Sequence, residues 1–302
     1  MHWYILGPGA IGTLWASLLL QAGHRVTLLQ RQPDAKHQRI EIISSRGTSG
    51  IEPATEALSS EGPDIEHLLV TTKAQQTEAA LAQIIPRLTP DAQVVLLQNG
   101  MGQHEAAARL LPSQLLWAAT TTAGAWRESP TRLQLVSLGS TRIGPWGTNQ
   151  MLQSDGWGAL EIDLESTPDI KSVLWRKLAI NCAINPLTAL HHCRNSELLT
   201  DPARHERLRQ VCHEVETVAR ALEIRLFDTP LAEQAEAVAQ STGNNLSSML
   251  QDIRLHRPTE IEHITGFLCR QAEHLGLSVP VNQALLEQVR NLNVAKEFPP
   301  DE

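Results

Sequence analysis

The first half of the chain alternates short apolar runs with segments of helical period. Apolar runs that predict strands lie at residues 3–6, 25–29, 67–72, 93–98 and 115–120. Residues 11–21 and 77–88 predict helices, of which Gly23 is expected to end the first and Pro86 to break the end of the second. Strands that alternate with helices are typical of a parallel sheet covered on both faces. The pattern therefore predicts an α/β fold for this half.

The pattern changes between residues 133 and 168. Runs at 133–136 and 141–143, separated by a stretch that contains Gly139, predict a β-hairpin. From about Pro168 the period is helical, and helices are predicted at 170–190, 202–222, 230–240, 246–255, 259–275 and 281–291. Thr259 followed by Glu262 predicts a capping box at the start of the fifth of these helices. The second half is expected to be all-α, which divides the chain into domains at 1–167 and 168–302.

Composition and charge narrow the classes of function. The 302 residues include 25 Lys plus Arg and 33 Asp plus Glu, and this net charge of −8 disfavours binding to a phosphate backbone. An aromatic fraction of 4% also disfavours a base-stacking surface. The apolar stretch at 14–20 is too short to span a bilayer, and the amino terminus is unlike a secretory signal. We expect a cytoplasmic protein that binds neither nucleic acid nor a membrane.

Cysteines and histidines predict neither a disulfide framework nor a metal site. The four cysteines all lie in the second half, far apart, and form no CxxC. His191 and His192 precede Cys193, but adjacent side chains point in different directions and no further pair has ligand spacing. We interpret these three residues as structural or surface residues.

A GxGxxG motif stands between the first predicted strand and the first predicted helix. Gly7 suits a tight turn, Gly9 lets the backbone approach a pyrophosphate, and Gly12 lets the helix pack on the strand. The helix start that follows supplies amide donors for an anion. An ordinary glycine-rich turn is the alternative, but the position of the motif within a βαβ pattern favours dinucleotide binding.

The residue that follows the second predicted strand favours one cofactor. Arg31 lies where an acidic residue would bind the ribose hydroxyls of NAD, and a guanidinium there suits the 2′-phosphate of NADP(H). A solvated surface arginine is the alternative. Lys73 and Asn99 each follow a further apolar strand and are expected at the same ligand-binding edge of the sheet, although such residues also mark ordinary turns.

A polar stripe crosses an otherwise apolar helix in the second half. Lys177, Asn181 and Asn185 recur every four residues and so share one helix face. A structural ladder of hydrogen bonds is the alternative to a wall that binds a ketone substrate. For the polar cluster at 244–248, the alternative to a ligand site is a helix cap. For Glu260, the alternative to a ligand contact is stabilisation of the positive end of a helix.

Longer motifs resemble one known family. The runs GPGAIG, TTKAQQ, LLQNGMG, LWRKLAINCAINPLTAL, NNLSSMLQDIR and PTEIEHITGFL together resemble the ketopantoate reductases (2-dehydropantoate 2-reductases) over almost the whole chain. The runs in the helical half are far more specific than the glycine motif. The resemblance implies an amino-terminal Rossmann domain, an all-α carboxy-terminal domain like that of the 6-phosphogluconate dehydrogenase superfamily, and an active site in the cleft between them.

The resemblance also implies roles for individual positions. The proton donor falls on Lys177, which would bind substrate as well. Substrate contacts fall on Asn181, Asn185, Asn195, Asn245, Leu246, Ser247 and Ser248. Cofactor contacts fall on Gly7, Pro8, Gly9, Ala10, Ile11, Gly12, Lys73, Asn99, Ala125 and Glu260. The stretch TTTAGAWRES departs from the family pattern, which has a histidine after the threonines, and this departure bears on Ala125.

The implied reaction is NADPH-dependent reduction of 2-dehydropantoate to (R)-pantoate, a step toward pantothenate and coenzyme A that needs no metal. Two alternatives stay open at this point. One is a related NADP-dependent reductase of a different 2-oxoacid, and the other is an NADP(H) sensor without catalysis. The sequence does not determine the oligomeric state, for which a homodimer is the candidate.

Overall fold

The computed structural model describes residues 1–31, 39–147, 157 and 159–294, and its contacts divide the chain into two units. The first unit comprises residues 1–98 and 103–171, and the second comprises 99–102 and 172–302. The first is α/β with a largely parallel sheet and the second is helical, so the predicted fold class is confirmed. The domain boundary between residues 167 and 168 stays a prediction.

The strands of the first unit form two sheets. The strands are β1 (His2–Leu6), β2 (Arg25–Gln30), β3 (Ile40–Ser44), β4 (Gly47–Ile51), β5 (Ala54–Ala57), β6 (Ile65–Val70), β7 (Leu88–Leu96), β8 (Leu115–Thr121), β9 (Gly124–Ser129), β10 (Arg132–Ser137), β11 (Ser140–Pro145) and β12 (Asp163–Ser166). The larger sheet has the order β12-β11-β8-β7-β6-β1-β2-β5, and the smaller has the order β4-β3-β10-β9. Among the strand pairs described in the larger sheet, β8–β11 is antiparallel and the others are parallel.

The register of the central strands positions the glycine motif. Leu6 of β1 pairs with Leu29 of β2 on one side and with Val70 of β6 on the other. The residues that follow these three positions therefore leave the sheet at the same edge, where open α/β sheets bind ligands. The chain turns there into α1 (Ala10–Gln21), whose buried face includes Leu14 and Trp15. The unit also contains α2 (Thr77–Ile84) and α3 (Gln103–Leu110).

The predicted hairpin at 133–143 is wrong. β10 pairs with β3 and β9 in the smaller sheet, whereas β11 pairs with β8 and β12 in the larger one. Gly139 lies between them with φ +56°, and an added Cβ would approach the Thr122 carbonyl carbon to 2.5 Å. The chain therefore passes from one sheet to the other through a closely packed glycine, and each strand pairs with other partners.

Five strands of the first unit were not predicted from the pattern: β3, β4, β5, β9 and β12. β4 and β5 are short, polar edge strands, and four of the five residues of β4 are exposed. Strands of this kind lack the apolar alternation on which the sequence prediction depends. Pairing with β3 and β2 defines them.

The second unit is built of helices. Beginning with the helix that links the two units, they are α4 (Ile170–His191), α5 (Glu197–Thr200), α6 (Pro202–Ala221), α7 (Leu231–Ser241), α8 (Ser248–Arg254), α9 (Thr265–His274) and α10 (Pro280–Val294). Asp201 begins α6 by accepting hydrogen bonds from the amides of Ala203 and Arg204, at 2.9 and 3.0 Å. Glu214, almost fully buried, accepts from the amides of Val281 and Asn282 and so stabilises the start of α10.

The predicted capping box at Thr259 is wrong. Residues Ile261–His263 form a separate 3₁₀ turn, and the α-helix begins only at Thr265. The Glu262 carboxylate accepts two hydrogen bonds from the Arg290 guanidinium, at 2.6 and 2.8 Å, instead of one from a backbone amide. A two-point bond to an arginine is stronger than a bond to a neutral amide, so the tertiary contact prevails over the local one.

Candidate functional site

The glycine motif forms a close-packed turn with one open position. Gly7 has φ +89°, and a Cβ there would lie 2.6 Å from the Thr72 amide nitrogen. A Cβ at Gly12 would lie 2.5 Å from the Thr71 hydroxyl, which itself donates to the Gly7 carbonyl. Gly9 is exposed, and nothing lies closer than 4.0 Å to its Cβ position. Packing therefore requires glycine at residues 7 and 12, and residue 9 leaves room for a ligand against the backbone.

The start of α1 has the electrostatic character of an anion site. No side chain caps it, and its first turn contains no acidic residue that would neutralise the positive end of the helix dipole. Ala10 and Ile11 begin this turn and pack against the core of the unit. The amides of the first turn are thus presented beside Gly9, in the arrangement that binds a pyrophosphate in dinucleotide-binding proteins.

A cavity of about 350 Å³ opens beside this turn, within the first unit. Its polar and turn residues are Gly7, Pro8, Gln30, Arg31, Thr72, Gln76 and Arg127. The register between β1 and β2 explains why Arg31 and the glycine turn line the same cavity, since both follow paired strand ends. The structure thus brings Gly7 and Pro8 of the glycine motif together with Arg31, and the chemistry of this lining fits the phosphate groups of a dinucleotide.

Lys73 and Ala125, like residues 9–12 of the glycine motif, lie outside the cavity lining. Lys73 is partly exposed and precedes a 3₁₀ turn at Ala74–Gln76. Ala125 pairs with Leu135 across β9 and β10 and packs against the hydrophobic core. Their roles as cofactor contacts stay predictions.

Sequence reasoning missed Thr72, Gln76 and Arg127 as lining residues. Thr72 and Gln76 lie in the run TTKAQQ around Lys73, so the sequence had already indicated this segment as part of a ligand site. Arg127 lies on β9, a strand that was not predicted, and it donates to the Pro8 carbonyl at 2.8 Å across 119 residues of chain. No local signal could have found it.

In the second unit, Lys177 lies on α4 in a setting that changes its acidity. Burial lowers the pKa of the Lys177 ammonium to about 8, although the negative charge of Glu260 raises it. As whole residues, Lys177 and Asn181 are partly exposed, whereas Asn185 is 8% exposed. The stripe therefore runs from the partly buried Lys177 to the buried Asn185.

Asn99 belongs to the same unit and meets Glu260. Its side-chain amide donates to the Glu260 carboxylate at 3.2 Å. The Met101 amide donates to the His263 carbonyl at 2.8 Å, and an added Cβ at Gly100 would lie 2.6 Å from that same carbonyl oxygen. The segment 99–102 is thus held against the turn that carries Glu260. Asn99, Glu260 and Lys177 form one electrostatic group, which we call the lysine cluster.

The polar stretch before α8 is divided between structure and accessible surface. Ser247 is the N-cap of α8: its hydroxyl accepts from the Leu250 amide at 3.1 Å and from the Thr188 hydroxyl at 2.7 Å. The cap interpretation of this residue is therefore correct. Asn245 and Ser248 are exposed, and Leu246 is partly buried.

Asn195 is buried beside that stretch. Its side-chain amide donates to the Thr242 hydroxyl at 2.9 Å, and its backbone amide donates to the Asn245 carbonyl at 3.2 Å. Its Oδ1 is buried and accepts no hydrogen bond from any described residue. Asn195 and Asn245 are thus brought together, and their contact with a substrate stays a prediction.

Nothing in the described residues indicates metal or thiol chemistry. They contain no group of three His, Cys, Asp or Glu that could hold a metal ion. All four cysteines are buried, and burial raises the pKa of Cys212 to about 12 and that of Cys269 to about 11, far from the reactive range. Over the part of the chain that is described, no helix has the length and apolar character needed to cross a membrane.

Comparisons with known families agree over both units. The family model described as "Ketopantoate reductase PanE/ApbA" matches residues 3–148, and "Ketopantoate reductase PanE/ApbA C terminal" matches residues 169–293. A 2-dehydropantoate 2-reductase of Vibrio cholerae is 38% identical over 299 residues, which cover 97% of this chain and 98% of that protein. One from Yersinia pestis is 35% identical over 291 residues, with 95% and 93% covered.

Solved structures extend the likeness to the fold. A PanE/ApbA family ketopantoate reductase from Ralstonia eutropha JMP134 has a TM-score of 0.89 at 25% identity, covering 99% of this chain and all of that one. A ternary structure of D-mandelate dehydrogenase with NADH and anilino(oxo)acetate also has a TM-score of 0.89, with 98% and 99% covered. Its identity of 23% shows likeness of fold alone.

Proposed function

The chain belongs to the ketopantoate reductase family, and from that premise we propose that it reduces 2-dehydropantoate to (R)-pantoate with NADPH. The observation that carries the proposal is the position of Lys177, a lysine of lowered pKa that shares a face of α4 with Asn181 and Asn185 and belongs to the lysine cluster. A binding protein without catalysis has no need of a tuned proton donor. The family resemblance predicted from the motifs is confirmed by the family models.

The cavity of the first unit is the proposed site of the NADP(H) phosphates. Reduced NADP supplies the hydride, and the family uses it for this reaction. The amides at the start of α1 are proposed to bind the diphosphate, and Gly9 leaves the backbone open to it. Arg31, at the end of β2, is proposed to bind the 2′-phosphate. These contacts orient the cofactor and take no part in bond making.

Lys177 is proposed to supply the proton. As hydride adds to the ketone carbon, the carbonyl oxygen gains negative charge and must be stabilised and protonated. The Lys177 ammonium donates a hydrogen bond to this oxygen and then transfers its proton, leaving the neutral amine to be reprotonated from solvent. A pKa of about 8 makes it a stronger acid than an ordinary lysine, yet leaves it mostly protonated at neutral pH.

Other groups of the second unit are proposed to orient the substrate and to adjust the pKa of Lys177. The Glu260 carboxylate keeps Lys177 protonated by its charge, and the Asn99 amide fixes that carboxylate. Asn181 and the exposed Ser248 offer hydrogen bonds to a carboxylate or hydroxyl of the substrate, which is an effect of orientation. Asn185, Asn195, Asn245, Leu246 and Ser247 are proposed to complete or support this wall.

The proposal is tested by NADPH absorbance loss upon addition of 2-dehydropantoate, against a panel of other branched and aromatic 2-oxoacids. We expect the highest kcat/KM for 2-dehydropantoate. A clear preference for another acid would indicate that the protein is a related 2-oxoacid reductase. NADPH binding without turnover on any member would indicate a sensor.

A homodimer in the cytoplasm, with no nucleic-acid partner, completes the proposal. A dimeric ketopantoate reductase from Staphylococcus aureus is a structural neighbour at 22% identity, a likeness that shows the fold alone and gives a precedent for the dimer. The net charge of −8 is what disfavours nucleic acid. Light scattering on the purified protein measures the oligomeric state directly.

A further inference from the structure

Arg127 is held rigidly at the edge of the cofactor cavity by neutral partners. Its Nη1 donates to the Pro8 carbonyl at 2.8 Å, and its Nη2 donates to the Pro130 carbonyl at 2.5 Å. Two carbonyl oxygens thus fix the orientation of the guanidinium plane between the glycine turn and the turn that joins β9 to β10. The side chain is half-buried and lines the cavity.

The charge of Arg127 lacks a compensating carboxylate. No carboxylate among the described residues lies within 4 Å of it, and its Nε is buried without a described acceptor. Burial lowers the pKa of this guanidinium, because desolvation disfavours its charged form. An anion brought to the cavity would relieve that cost.

Other arginines of the same unit show what a structural role looks like here. Arg87 is 2% exposed and pairs with Glu56 at 2.9 Å. Arg142 pairs with Glu165 at 2.9 Å. Each of these cations has a carboxylate partner within the unit, and Arg127 differs from both in having only carbonyl partners. The difference indicates that its anion comes from outside the chain.

The position of Arg127 selects which anion this is. Arg31 lines the same cavity as Pro8, because Leu6 of β1 and Leu29 of β2 are paired and the chain leaves both strands at the same edge. Pro8 has no amide hydrogen, so the turn offers no donor at this position. The guanidinium of Arg127, hydrogen-bonded to Pro8, supplies donors and charge there instead. Two arginines that line one cavity match the double charge of a phosphate monoester.

We propose that Arg127 and Arg31 together bind the 2′-phosphate of NADP(H), with Arg127 approaching from the glycine turn. This makes Arg127 a second determinant of the preference for NADP(H) over NAD(H). The inference rests on the proposed use of NADP(H) and extends it to a residue on β9. It is independent of which 2-oxoacid is reduced.

The test measures binding of small nucleotides, so turnover is not needed. Calorimetry compares 2′,5′-ADP with 5′-AMP, and NADPH with NADH, on the unmodified protein, Arg127→Gln, Arg31→Gln and the double variant. Arg127→Gln should weaken 2′,5′-ADP and NADPH by about 10-fold to 100-fold, as expected for a charge-assisted hydrogen bond, and should change 5′-AMP and NADH less than about threefold. The double variant should bind NADPH and NADH with similar affinity.

Arg132→Gln is the matched control. Arg132 lies on the adjacent strand β10, is about half exposed, and already pairs with Glu41 and Glu128, each at 3.5 Å. Its loss should leave all four affinities unchanged. If Arg127→Gln does not fold, Arg127→Lys keeps the charge, loses the two-carbonyl geometry and should weaken 2′,5′-ADP selectively by a smaller factor.

Two outcomes would overturn the inference and leave the proposed function intact. Equal weakening of NADPH and NADH would make Arg127 a support for the turn or a diphosphate ligand. Unchanged affinities, with a lowered melting temperature, would make it structural. In contrast, failure of the unmodified protein to prefer 2′,5′-ADP over 5′-AMP would contradict the proposed cofactor itself.

Discussion

At the residue scale, Lys177 shows how burial converts an ordinary side chain into a reagent. Desolvation lowers its pKa and a carboxylate raises it, and the balance of about 8 leaves it protonated near neutral pH but able to release its proton. The same lysine on an exposed helix face would be a weaker acid by more than two pKa units.

Lys177→Ala should lower kcat by about two to four powers of ten, because general-acid catalysis is its proposed role. NADPH affinity should change little, since the cofactor cavity is lined by residues of the other unit. Stopped-flow turnover together with calorimetry measures both quantities. A normal kcat with only a raised KM would show that Lys177 merely binds substrate.

The activity should decline as pH rises through about 8, because Lys177 must be protonated to donate. Glu260→Gln removes the charge that raises this pKa, so the declining limb should move to lower pH. The pH profile of kcat/KM measures the shift, with Glu273→Gln, an exposed carboxylate on α9, as the control. If the declining limb of the profile stays at the same pH in Glu260→Gln, the assignment of Lys177 as the titrating acid is wrong.

Arg31→Asp should narrow or reverse the preference for NADPH, because an acid at this position repels a 2′-phosphate and accepts from ribose hydroxyls. The ratio of kcat/KM for NADPH and NADH measures the preference. Equal values for the two cofactors in the unmodified protein would contradict the cofactor assignment before any variant is made.

At the scale of elements, α8 carries two adjacent serines with different tasks. Ser247 caps the helix and bonds to Thr188 of α4, the helix that also bears Lys177, so the cap joins two elements. Ser248 lies one residue further on and is exposed. Burial, and not residue type, separates a structural hydroxyl from one that is accessible to a ligand.

Ser247→Ala should lower the free energy of unfolding by about 0.5–2 kcal/mol, the usual cost of losing an N-cap. Ser248→Ala and Asn181→Ala should leave the melting temperature nearly unchanged and lower kcat/KM for 2-dehydropantoate. Chemical denaturation and steady-state kinetics on the three variants test the contrast. If Ser248→Ala or Asn181→Ala instead has a much lower melting temperature while each folded molecule keeps its activity, the role of that residue is structural.

At the scale of the whole molecule, binding of both ligands should be visible in thermal unfolding. A ligand that binds only the folded state stabilises it by about 2.7 kcal/mol at a concentration of about 100 times its Kd. NADP plus pantoate should therefore raise the melting temperature above that with NADP alone. Lys177→Ala should keep the shift caused by NADP and lose most of the additional shift. An identical melting curve with and without pantoate would contradict a product site.

The sequence alone determined those features whose causes are local. Apolar period and glycine spacing predicted β1, α1 and β2 to within a residue or two, together with most helices of the second unit. Capping rules also offered a helix cap as one interpretation of the stretch that contains Ser247, and this residue is the N-cap of α8. A helix or a strand–turn–helix is specified by neighbours a few residues apart, so a single chain segment carries the information.

The tertiary structure decided the features that join distant residues. It brought Arg127 to Pro8 and Asn99 to Glu260, pairs separated by 119 and 161 residues. It also placed β10 and β11 in different sheets and directed Glu262 to Arg290 instead of to a cap. For the predicted hairpin and the predicted capping box, a local preference worth about 1 kcal/mol competes with partners supplied by other elements, and the folded chain follows the arrangement that buries and pairs more groups. The pKa of Lys177 belongs with these features, because burial and the nearby charge that set it exist only in the folded protein.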